Sequence, residues 1–71
     1  MDFETYLREK VRVPAYGTAP GGLVDAHREI IRQMRRLYRA GVSLASGQML
    51  ELAGKADELS AEITEFNERK T

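Results

Sequence analysis

Arg28, Arg32, Arg35 and Arg39 recur at spacings of four, three and four residues, so on a helix their guanidinium groups form one stripe. A planar, permanently charged donor fork suits carboxylate or phosphate. The stripe therefore offers three chemistries: attachment to an acidic patch on a partner protein, contact with nucleic-acid phosphates, or pairing with an acidic helix of the same chain. Apart from Tyr38, no aromatic side chain interleaves with the arginines for base stacking, and eleven basic residues are balanced by eleven acids. That neutrality weighs against a general polyanion binder, so nucleic acid ranks below a protein partner. Tyr6, Tyr16 and Tyr38 fall in the same neighbourhood, and aromatics with arginine are enriched where protein interfaces concentrate their energy.

The other reactive side chains offer less. The single histidine, His27, lies on an apolar stripe one turn from Ile30 and Ile31 and reads as a partly buried structural residue. One imidazole and no cysteine cannot build a zinc site, and no metal or cofactor is expected. The run Tyr16-Gly17-Thr18-Ala19-Pro20-Gly21-Gly22 precedes a helix start, where phosphates bind well, but it lacks the lysine and the preceding strand of a phosphate-binding loop. It reads as a flexible connector.

Three helices must position these residues. Phe3, Tyr6, Leu7 and Val11 share one face of a helix predicted over 2–12, capped by Asp2 and ended by Pro14. A loop follows over 13–22. Leu23, His27, Ile30, Met34, Leu37 and Gly41 mark the apolar stripe of a second helix over 23–40, with Gly41 in the C-cap position. Met49, Leu52, Ala56, Leu59, Ile63 and Phe66 alternate three and four apart, the seam of a coiled-coil-like third helix over 43–68 that Ser43 or Ser46 can cap. Folding back at 41–43 sets Arg28 near 56–58, so the arginines are expected to meet Asp57, Glu58 and the acids beyond. Gly47, Gly54 and Ala61, seven apart, mark either a close helix approach or, for Gly47, simply the helix start.

Residues 31–66 also resemble the small sporulation-control aspartyl-phosphate phosphatases that carry an SQELD motif. The likeness lies in Ile31-Arg32-Gln33-Met34-Arg35-Arg36-Leu37-Tyr38, a glycine-containing turn, and Met49-Leu50-Glu51-Leu52-Ala53-Gly54-Lys55-Ala56-Asp57-Glu58-Leu59. Ala53, Gly54 and Ala56 stand where the motif has serine, glutamine and leucine. The resemblance implies a short helical hairpin acting on a phosphorylated response regulator, with the catalytic aspartate at Asp57. Taken without it, Asp57 is a solvent-facing acid beside the seam.

The expectation is a single all-α domain over 1–71: a short N-terminal helix, then an antiparallel hairpin. A chain of this length buries only roughly 60% of its unfolded surface. The third helix also outreaches the second, so a homodimer through the seam is expected. The start Met1-Asp2-Phe3-Glu4 puts acids where a secretory leader is positive, and no run reaches the roughly 18 apolar residues of a membrane span. A cytoplasmic protein follows, with an arginine-over-lysine bias that fits a bacterial or phage source. The function this supports is non-enzymatic: binding, and inhibiting or modulating, a transcription factor or response regulator, as a phage-encoded antagonist of a host factor would. The alternatives are the phosphatase with Asp57 and nucleic-acid binding through the arginines.

Overall fold

Asp2 starts the first helix by satisfying a free amide: its extended backbone turns the carboxylate back to accept the Thr5 N–H at 2.8 Å. The computed structural model describes residues 2–11 and 13–69, in which α1 spans Phe3–Lys10, α2 Gly21–Arg39 and α3 Gly47–Arg69, with no strand among them. The first helix, expected over 2–12, ends at Lys10, because Val11 is already extended at φ −122° and ψ 126°; residue 12 itself lies outside the described residues. An eight-residue helix is not stable alone. Phe3, Tyr6 and Leu7, with Val11 just beyond, are buried against α2 and α3 and supply what the short helix lacks. Fully burying a side chain of this size stabilises by about 1.5–3 kcal/mol.

α2 begins two residues earlier than the glycines suggest. Pro20, at φ −56°, points its carbonyl into the first turn, where it accepts from Leu23 and Val24 N–H at 3.1 Å each. Gly21 and Gly22 then occupy a helix end, where glycine's cost is smallest. At the other end Gly41 adopts φ +92°, and its N–H bonds Tyr38 O at 3.0 Å while Val42 N–H bonds Leu37 O at 2.9 Å. This paired closure is the Schellman motif expected of a glycine stop. α3 starts at Gly47 rather than 43, because residues 43–46 form a turn of their own. Ser43 Oγ accepts from Ala45 N–H at 3.1 Å, and Ser46 Oγ accepts from Met49 N–H at 3.2 Å, so Ser46 is the cap.

α2 and α3 form the antiparallel hairpin, and α1 lies in the cleft they leave. Phe3 meets Tyr38 near the end of α2, with ring centroids 5.5 Å apart, while Tyr16 reaches His27 near its beginning, so the N-terminal segment runs opposite to α2 and alongside α3. α3 consequently has two inner faces. Leu52, Leu59 and Phe66 are half-buried on one side, Ala53 and Ser60 are buried on the other, and Met49, Ala56 and Ile63 lie between and are fully covered. The seam residues are all at least half-buried within one chain. Asn67 extends the second face, donating to Ala15 O and Tyr16 O at 3.1 Å and accepting from Thr18 N–H at 3.2 Å. Gly17, at φ +55°, sits so close to that amide that a Cβ would stand 2.9 Å from Asn67 Oδ1. The 13–20 connector is thus pinned to the end of α3. By contrast, a Cβ at Gly47 or Gly54 would meet nothing within 4 Å, so these glycines permit no close approach inside the chain. No helix among the described residues is long and apolar enough to cross a membrane.

Candidate functional site

Successive residues turn about 100° on a helix, which places the Arg28–Arg32–Arg35–Arg39 stripe about 120° around α2 from the buried His27 and Met34. α1 packs on the face between them. Glu4 accepts a hydrogen bond from the Arg35 guanidinium at 2.9 Å, and the same guanidinium lies 5.4 Å from the Phe3 ring centroid. Between the two helices opens a groove of about 530 Å³. Leu7, Val13 and Ile31 form its floor; Glu4 and Arg8 line the α1 bank and Arg28, Arg32 and Arg35 the α2 bank, with Tyr16 also in the lining.

The arginines of this groove are not equivalent. Arg32 bonds Glu29 on its own helix at 2.9 Å, and Arg35 is held by Glu4. Both pairs are largely exposed and contribute about 0–1 kcal/mol each, so they set side-chain position more than stability. Arg28 is held differently, with its guanidinium carbon 5.1 Å from the centroid of the Tyr16 ring. Tyr16 in turn places its hydroxyl 3.1 Å from Nδ1 of His27, and the two rings meet edge to face at 73°. His27 is fully buried, so a structural histidine orients a tyrosine that carries an arginine at the groove. The expected meeting of these arginines with the acids of α3 is not what orders them. Arg32 and Arg35 turn to Glu29 and Glu4 because the stripe faces α1 and solvent, and on α3 Glu65 pairs with Arg69.

Of the residues singled out by spacing, the groove brings together Arg28, Arg32, Arg35 and Tyr16. Arg39 lies outside it and is exposed, Tyr38 is half-buried against Phe3, and Tyr6 is turned into the core. Arg8 and Val13 complete the site without having been foreseen. Glu4 and Arg8 flank the apolar face of α1 one turn apart, but their role depends on which side of α1 meets α2. Val13, at 56% exposure, is one of two large apolar side chains among the described residues that are left most open to water.

Asp57 lies on the opposite flank of α1. It is exposed on α3 and lines a second open hollow of about 600 Å³ with Tyr6, Lys10, Leu44 and Leu50. Burial, with a smaller contribution from the Asp57 charge, raises the Tyr6 hydroxyl above its ordinary pKa of 10.0. No cluster of three or more histidine, cysteine or acidic side chains among the described residues could hold a metal ion. Compared with known proteins, the chain matches no family model, no curated protein and no solved structure.

Proposed function

We propose that this chain is a small non-enzymatic regulatory protein of the cytoplasm. It binds a partner protein through the α1–α2 groove and inhibits or modulates it by covering the surface it occupies, the partner being a transcription factor or response regulator. The observation that supports this most directly is the groove itself: an apolar floor bordered by four arginines, a local concentration of cations in a chain whose charges sum to zero overall. Two of those arginines are seated on aromatic rings before any partner arrives. Side chains held in place lose less freedom on association, so more of the contact energy remains as affinity.

Affinity capture from the lysate of the source organism tests this reading. One dominant protein should be retained by the native chain, lost on Arg28→Glu with Arg32→Glu, and functionally inhibited when the native chain is added back. Capture that ignores the charge reversal, or no capture, removes the proposal. Asp57→Asn should leave both capture and inhibition unchanged. If it abolishes dephosphorylation of a phosphorylated response regulator while binding persists, catalysis through Asp57 takes the place of inhibition by occupancy.

A further inference from the structure

We infer that the α1–α2 groove takes an acidic amphipathic segment of a protein, with apolar side chains on Leu7, Val13 and Ile31 and carboxylates reaching Arg8 on one bank and Arg28 on the other. The inference rests on the proposed function and narrows it to one partner chemistry.

The cations of the groove divide into occupied and open ones. Among the described residues Arg32 and Arg35 have carboxylate partners, whereas Arg8 and Arg28 form no ion pair. Those two stand on opposite banks, so a ligand satisfies both by presenting negative charge on both of its edges. The Arg28 guanidinium carbon is held 5.1 Å from the centroid of the Tyr16 ring, a contact that uses none of its N–H donors in an ion pair, and a guanidinium can give two parallel bonds to a carboxylate.

The floor separates an acidic peptide from other anions. Val13 is 56% exposed beside these cations, and covering it is favourable only for a ligand that brings apolar surface. A phosphate or a nucleic-acid backbone brings none. Tyr16 is no platform for a base, because its ring already engages Arg28 and His27. Glu4 adds polarity to the groove: its carboxylate holds Arg35 and repels acid at that end. Removing that charge therefore frees a third cation.

Fluorescence anisotropy with labelled synthetic peptides tests the inference on the full chain. The probe is a peptide of about three helical turns with leucines at helical spacing flanked by glutamates. Its controls are the same peptide with serine for leucine, and a single-stranded oligonucleotide. The leucine–glutamate peptide should bind, and Arg8→Glu with Arg28→Glu should weaken it by about tenfold or more while the circular dichroism spectrum is unchanged. Val13→Ser should weaken it as well, and Glu4→Gln should strengthen it by about threefold, a gain that misfolding cannot mimic. Equal binding of the serine peptide or of the oligonucleotide overturns the inference, as does indifference to the charge reversal. So does competition by a second copy of the chain, which would make α3 acids of another molecule the occupant. If lysate capture depends on Arg28 and Arg32 yet the peptide fails to bind, the regulatory reading stands and the acidic-segment inference alone falls.

Discussion

Tyr6 and Asn67 are two polar side chains whose work is done inside the fold, and each makes that work measurable. The Tyr6 phenol keeps its proton longer in the folded chain than in the unfolded one, because burial, and then the Asp57 charge, disfavour the phenolate. Stability is therefore fully present below the unfolded value of 10.0 and is lost as pH rises past 10 through the raised folded value. Tyr6→Phe should flatten the alkaline fall in melting temperature between neutral pH and pH about 11 relative to the native chain. An unchanged alkaline slope would show that other groups cause it. Asn67 binds three backbone groups of the 13–20 connector at once. Asn67→Ala should cost about 1–2 kcal/mol in urea unfolding, since hydrogen bonds of this kind net about 1 kcal/mol each and these are partly solvated. Asn67→Asp should cost no less, because it replaces the amide donor to two carbonyls with an acceptor. Neither role was legible from spacing: a tyrosine on an apolar face reads equally as core or contact, and an asparagine near a chain end reads as solvent-exposed.

At the scale of the element, α3 shows why part of the architecture could be read and part could not. Met49, Leu52, Ala56, Leu59, Ile63 and Phe66 are large or apolar, and their spacing identified the face turned to α2. The second face is built from Ala53, Ser60 and Asn67, whose small or polar side chains let α1 and the connector approach, and which form no apolar stripe because Ala53 is the one hydrophobic member of the three. The same blind spot concealed half the groove. The arginines of α2 announced themselves by their period, while Arg8 became part of the site only through the direction in which α1 packs. Gly54 completes the picture of α3 by standing in open space within the helix interior. Gly54→Ala should raise stability by about 1 kcal/mol, the ordinary helix-interior difference between these residues, read as a higher melting temperature. Destabilisation would mean that another molecule's backbone closes on this position.

For the whole molecule, the question is what a third helix longer than its partner does with its excess. α3 has 23 residues against 19 in α2, about 6 Å of additional rise, and an excess of apolar helix needs cover, from a second copy or from the chain itself. The single chain supplies it: Ile63 is fully buried and Asn67, one turn on, is bound to the chain's own connector. On α3 the large apolar side chain left open to a second copy is Leu50, at 58% exposure beside Gly54. The two arrangements separate cleanly. Leu59 packs within the chain, so Leu59→Asp should lower helicity, because an unpaired charge pushed into packed surroundings costs several kcal/mol. Leu50→Asp should keep helicity, its stability changing by no more than about 0.5 kcal/mol. It should also abolish any concentration-dependent association seen by sedimentation equilibrium. A Leu59→Asp chain that stays fully helical while a native dimer falls apart would return the seam to an intermolecular role and detach α1 from the face it covers here.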